Sequence, residues 1–273
     1  MQTSLATQLD ERLAAGNLNL PFLPATTSQI LELCGRGDVD MKELAGVVGA
    51  DPTLAAHFLR LSNTAIFAAR TQIVSLHHAV ARLGTSQVRQ FVLLITCHSR
   101  AFHVRGREAM AREILERAVA TAFFAQEIAR ARGDSVEEAF LCGLLHDIGS
   151  PVVLQLISDL EVEGGVAIDD EAVAQNIARL HEGVGFRIAS QWSTSPAVSE
   201  SIGSHHRTLT DGDRSPIALA VATIQLADAL ADGIATDLLV GHPAFALLDF
   251  NPEHLEGLER ARVAAQQILE SLG

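Results

Sequence analysis

The sequence is short of lysine, cysteine and long apolar runs, and each shortage narrows what the chain can be. Lys42 is the only lysine, and 20 basic residues stand against 33 acidic ones, a net charge of −13. An acidic surface repels phosphate backbones, so non-specific binding of DNA or RNA is not expected. The cysteines, Cys34, Cys97 and Cys142, are odd in number and form no C-x-x-C pair. Each sits among apolar residues, so they read as buried thiols of a reducing compartment. The greasy stretches Phe91–Ile95 and Ile217–Leu230 are short, or broken by Gln225 and Asp228, and Asp10 and Glu11 precede any apolar run. No membrane span or secretory signal is expected, and the reading is a cytoplasmic protein.

Further absences remove whole enzyme classes. There is no Walker loop, no Gly-x-Gly-x-x-Gly, no G-x-S-x-G elbow and no zinc-ribbon cysteine pattern. His181-Glu182 is not followed by a histidine three residues on, which excludes a zinc-protease helix.

What is present is apolar and helical in period. Hydrophobic residues make up 48% of the 273 and charged residues 19%, enough for a sizeable core. Leu54, Phe58 and Leu61 recur at helical spacing, as do Val173, Ile177, Leu180, Val184, Ile188 and Trp192. Asp51-Pro52, Ser195-Pro196 and Ser215-Pro216 each place a capping oxygen before a proline, and Asp40 with Glu43 resembles a capping box. Gly84, Gly133 and Gly149 read as stops or turns. The expectation is an all-α chain of roughly a dozen helices and no sheet, in a two-lobed bundle. Residues 1–98 form the N-terminal lobe, 99–232 the second lobe and 233–273 a tail ending in a helix over Pro252–Leu272. Glu161–Asp170 reads as a loop. Arg100, His103, Arg105, Arg107 and Arg112 read as a solvated seam, with a contact surface for an acidic partner or a phosphate as the alternative.

The chemistry-bearing residues fall on or beside apolar stripes. His146-Asp147 ends a greasy helix, and His181 shares the face of Ile177, Val184 and Ile188. His205 lies three residues after Ile202 with His206 beside it, and Asp228 lies four after Ile224. A carboxylate on a buried stripe needs a metal, a protonated histidine or an arginine as partner. Imidazoles with carboxylates are the ligand set of Fe, Mn, Ni or Zn, and such ions activate water or clamp a phosphate oxygen. Each of these histidines taken singly is more often a hydrogen-bonded core or surface residue. Their joint occurrence in this order is the signal.

That order resembles the HD superfamily of metal-dependent phosphohydrolases. The upstream motifs Leu20-Pro21-Phe22-Leu23-Pro24, Asp51-Pro52-Thr53-Leu54, Leu59-Arg60-Leu61-Ser62-Asn63-Thr64-Ala65 and Ile73 through Gly84 are similar to the HDOD branch, as are Gly143–Gly149 and His181–Trp192. The resemblance implies an HD-like helical signal-transduction module of bacteria, one that often loses metal ligands. By position it carries the metal site onto His146, Asp147, His181, His205, His206 and Asp228. The place of the first HD histidine falls on Arg117, which cannot ligate a metal and is expected to pair with Asp147 or Asp228 or to hold a phosphate. No Gly-Tyr-Pro follows His206, and the chain has no tyrosine, so similarity to the cyclic-dinucleotide phosphodiesterases is partial. Asn63 reads as a helix C-cap or a bond to a neighbouring turn.

Two functions stay open at this stage. One is a regulatory module with a degenerate HD site, working through a protein partner or a nucleotide-type ligand. The other is a metal-dependent phosphohydrolase using His146 and Asp147 on a phosphoester.

Overall fold

A computed structural model describes residues 4–15, 23–67, 72–101, 104–192, 194–234, 236–250 and 256–272. Among these residues there are helices and no strands. In chain order the α-helices are α1 (Leu5–Ala14), α2 (Ala25–Cys34), α3 (Met41–Gly49), α4 (Pro52–Ser62), α5 (Leu76–Ala101), α6 (Glu108–Arg132), α7 (Val136–Leu145), α8 (Gly149–Gly164), α9 (Asp170–Gln191), α10 (Pro196–Ile202), α11 (Pro216–Ala231), α12 (Thr236–Leu239), α13 (Pro243–Leu247) and α14 (Glu256–Leu272). A 3₁₀ turn at Ala65–Phe67 follows α4.

The helices start where the sequence supplies capping oxygens. Asp51, Ser195 and Ser215 each accept a backbone N–H of the first turn, with proline at the next position, and Asp40 accepts Lys42 N–H. Gly84, at φ 72°, kinks α5, and Gly133, at φ 74°, ends α6. The loop expected from Glu161 is shorter than its polarity suggests, because α8 runs on to Gly164 before Gly165 turns left-handed. The tail helix begins at Glu256 in the described part, and two short helices precede it that the sequence does not announce. The Leu20–Pro24 motif lies largely outside the described residues.

One continuous apolar core joins α2–α5 to α6, α7, α11 and α14, and Phe58, Phe91 and Phe140 are its largest fully buried side chains. The stripe Leu54, Phe58 and Leu61 is buried in it, as its spacing requires. A second core gathers Leu9 of α1 with Val153, Leu154 and Ile157 of α8 and Val173, Val184 and Ile188 of α9. Ile148 and Trp192 pack against both. A long apolar window lies in Val136–Gly164, at mean hydropathy 1.6. It is interrupted by the turn after α7, and 67% of it is buried against the rest of the chain, so core packing accounts for its apolarity. Asn63 closes α4 at φ −100° rather than in the left-handed region. Its amide donates to the carbonyls of Leu59 and Ile73 and accepts Ile73 N–H, stitching α4 to the segment that leads into α5. All three cysteines are buried and outside any disulfide among the described residues.

Candidate metal centre

Helix and turn geometry bring His146, Asp147, His181, His205 and Asp228 to one place. His146 follows the last residue of α7, and Asp147 sits in the turn that leads to α8. The turn is held by Ile148 N–H to Leu145 carbonyl at 3.0 Å and by Ser150 N–H to Asp147 carbonyl at 2.8 Å. Two glycines permit the close packing behind it. A Cβ on Gly143 would lie 2.7 Å from Ala122 Cα of α6, so α7 can touch α6 backbone to backbone. A Cβ on Gly149 would lie 2.1 Å from the carbonyl oxygen of His181. Gly149 is therefore not a helix stop, as its sequence position suggests, but the contact point where α8 begins against α9.

His181 lies on the buried face of α9, with Val184 and Ile188 below it. His205 does not continue α10, although its spacing from Val198 and Ile202 is helical. It stands in the turn after α10, which ends at Ile202. Two side chains that sequence reasoning missed fix that turn. Gln225 of α11 donates to the carbonyls of His205 (2.7 Å) and Arg207 (2.8 Å), and Glu182 of α9 accepts His206 N–H at 2.9 Å. Only the positions of Gln225, interrupting an apolar run, and Glu182, beside His181, hint at them. His206 itself is exposed at the rim, its ring 4.2 Å from that of His205.

The three inner histidines share one arrangement. Nδ1 of His146 faces Gly143 carbonyl at 2.7 Å, that of His181 faces Ile177 carbonyl at 2.9 Å, and that of His205 faces Ile202 carbonyl at 2.8 Å. A carbonyl oxygen only accepts, so each Nδ1 carries the hydrogen, and in the neutral ring each Nε2 presents a lone pair. Those lone pairs converge. Nε2 of His181 and His205 are 3.2 Å apart, and both approach Asp147 Oδ1, at 3.5 and 3.7 Å. His146 Nε2 lies 3.5 Å from Asp147 Oδ2 and 3.4 Å from Asp228 Oδ1, and it is buried with no closer polar partner. Burial and the neighbouring His146 push His205 down to about 3, so its ring is neutral near neutral pH. Burial alone would do the same to His146, but Asp147 and Asp228 outweigh it and raise its pKa. Burial raises the Asp147 carboxyl, yet His146, His181, His205 and Arg117 outweigh it and leave it depressed.

Asp228 has the partners its buried stripe demands. Arg117 grips it through Nε (2.9 Å to Oδ1) and through Nη2 to Oδ2, and Thr121 donates to Oδ1 at 3.2 Å. Burial opposes ionisation of Asp228, but His146 and Arg117 more than compensate and hold its carboxyl well below the usual carboxylate range. Arg117 Nε also lies 3.3 Å from Asp232. A cavity of about 410 Å³, bordered by His206, Arg207, Gln225, Asp228, Asp232 and His242, opens beside the cluster. The basic seam is not a solvated patch in its best-placed member. Arg107 is 10% exposed, bonds Glu161 and Asp170, and donates to Ile168 carbonyl, tying α6 to the α8–α9 connection. Arg105 and Arg112 are exposed, while the side chains of Arg100 and His103 lie outside the described residues.

The ligand-type atoms of His146, Asp147 and His205 lie within 4.8 Å of one another, and so do those of His181, His205 and His206. The donor set fits a divalent cation on this structure's own terms. Two opposed lone pairs at 3.2 Å repel unless a proton or a cation lies between them, and a buried Nε2 aimed at two carboxylates has no other partner.

Residues 20–208 match the family model described as HDOD domain. Ribonuclease Y of Bacillus subtilis strain 168 is 30% identical over 128 residues, 47% of this chain and 20% of that protein; the chain thus spans about a fifth of the length of the curated relatives it matches. A Shewanella amazonensis protein named as a candidate metal-dependent phosphohydrolase superposes with a TM-score of 0.74 at 20% identity, over 98% of each chain. A Marinobacter aquaeolei VT8 protein named as a candidate signal transduction protein superposes at 0.69 with 21% identity, over 99% of this chain and 66% of that one. At such identities these two likenesses establish a shared fold. With its matched span covering most of the sequence and its histidines and aspartates gathered in the second half of the bundle, the chain belongs to the HDOD domain family.

Proposed function

We propose that this chain is a regulatory signal-transduction module whose pocket binds one divalent cation through His146, Asp147, His181 and His205, with His206 at the rim. The observation that carries the reading is the 3.2 Å approach of the His181 and His205 Nε2 atoms, whose Nδ1 hydrogens are both committed to backbone carbonyls. Nitrogen and carboxylate donors suit Fe, Mn, Ni or Zn. A cation there supplies a Lewis acid that polarises a bound oxygen. Around it Gln225 and Glu182 hold the histidine turn, and Asp147 balances charge. Arg117 already bonds both oxygens of Asp228, which favours a single ion and a sensing role over a two-metal hydrolytic one. A protein partner or a nucleotide-type ligand would read the state of this pocket.

The second reading, a phosphohydrolase, has one observation in its favour: the 410 Å³ cavity bordered by Asp228 and His206 leaves room for a phosphoester beside the cluster. The test is elemental analysis of protein purified without chelator and loaded with Fe, Mn, Ni or Zn, paired with hydrolysis of bis(p-nitrophenyl) phosphate. One equivalent of metal, lost in His146→Ala and Asp147→Ala, with no turnover supports the regulatory reading. Metal-dependent turnover lost in the same variants establishes the second reading. Failure to retain any metal after loading rejects both.

A further inference from the structure

The tail helix α14 forms one wall of a second cavity, of about 620 Å³, that shares no residue with the histidine cluster. Its opposite walls are the 3₁₀ turn at Ile66–Phe67 and the face of α6 at Phe123. The volume lies in the range of small-molecule sites. On α14 the lining residues Arg260, Val263, Ala264 and Gln267 follow one another at helical spacing, so a single face runs roughly 10 Å along the helix axis from Arg260 to Gln267.

The two ends of that face have opposite needs. At one end Gln267 Oε1 is buried with no hydrogen-bond partner, an acceptor in want of an N–H or O–H. At the other end Arg260 has no carboxylate within ion-pair distance among the described residues: Glu127 is taken by Arg130 and Glu259 by Arg262. Arg130 lines the same cavity in its pair with Glu127, and burial together with the nearby Arg260 lowers its pKa. Between the ends Phe67, Phe123, Ile66 and Val263 supply an apolar wall, with Ile66 and Val263 38% and 46% exposed, while the polar lining is Gln87, Gln126 and the ion-paired Glu127 and Glu259.

We infer that this cavity is a binding site for a small organic anion with a flat apolar body, its acidic group on Arg260 and an N–H at the other end donating to Gln267. It joins the upstream helices, α6 and the tail, a place nothing in the histidine cluster explains.

Anilinonaphthalene sulfonate has all three features, and phenoxynaphthalene sulfonate, with an ether oxygen in place of the N–H, lacks only that donor, so the pair serves as probe. In a fluorescence titration of the intact chain, the first should bind saturably at one equivalent. Arg260→Glu and Val263→Trp, both at exposed positions, should each weaken it at least about tenfold. Val162→Trp, at a position on α8 that is 64% exposed and far from this lining, should leave it unchanged. Gln267→Leu should weaken the anilino compound and leave the phenoxy compound, measured by displacement, unaffected. Melting curves of each variant establish that it is folded. Binding at many weak sites, no binding, or equal affinity in Arg260→Glu, Val263→Trp and the parent chain overturns the site. Equal loss of both probes in Gln267→Leu overturns the role of its carbonyl.

Discussion

Replacing Asp228 by Asn removes one charge from the Arg117–Asp228 pair while keeping its volume. Asp228 is 15% exposed and receives two guanidinium hydrogens, Thr121 and the approach of His146, whereas Arg117 is 38% exposed. A fully buried pair losing one partner costs about 3–5 kcal/mol, and a fully exposed one about 1 kcal/mol or less. Because water still reaches Arg117, the orphaned guanidinium is partly solvated, and about 2–3 kcal/mol is expected. For a chain of this size that lowers Tm by roughly 4–10 °C. Arg117→Met should cost a similar amount, and the double variant less than the sum, because neither partner is then left alone. The pH dependence has a definite sign. The folded carboxyl lies below its unfolded value, so the pair's contribution is complete above about pH 4 and fades as pH falls through the folded pKa. Urea unfolding of the four proteins at pH 7 measures the cycle. Additive effects, or a loss below about 0.5 kcal/mol for Asp228→Asn, would refute the pairing argument.

Gly149→Ala should be among the most damaging single-methyl additions, costing about 3 kcal/mol or more, because its Cβ would overlap the His181 carbonyl at 2.1 Å; a thermal melt at parental temperature would place that contact elsewhere. Burial pushes the Cys142 thiol up to about 12 and that of Cys34 to about 11, so neither should react with a disulfide reagent at pH 8 until the protein is denatured. Burial, with His57 and Arg112 nearby, lowers His98 to about 4, and burial with Arg60 lowers His57. The unfolded chain therefore takes up more protons there between about pH 4 and 6.5, and stability should fall as pH drops through that window. His98→Leu should make that slope shallower, and an unchanged slope would remove His98 as one of its sources. Gln225→Leu should leave the helices intact but loosen the His205 turn, weakening metal binding about tenfold in a calorimetric titration; unchanged affinity would deny Gln225 a positioning role.

Local chemistry was legible because it is written in neighbouring residues. The proline-backed caps at Asp51, Ser195 and Ser215, the buried stripe carrying His181, and the need of Asp228 for a partner all follow from spacing within a few turns. What escaped the sequence is set by contacts across the chain. The helical spacing of His205 from Ile202 conceals that α10 ends first, since a turn can keep a residue near a helix face without continuing it. Gly149 carries the composition of a stop, and only the backbone of α9 beside it reveals a packing contact. Gln225 reads as an interruption of an apolar run until the two carbonyls it bonds, 20 and 18 residues upstream, are brought to it. Arg107 sits among other basic residues in sequence but finds its acids on α8 and α9.

In the proposed centre three imidazole nitrogens and a carboxylate share one cation. Crystals of the chain soaked in Mn²⁺ and measured for anomalous scattering test it most directly. The prediction is one dominant peak within bonding distance of the Nε2 atoms of His146, His181 and His205 and of Asp147, absent in His146→Ala. Peaks only at surface carboxylates, with those nitrogens left facing one another, would contradict it.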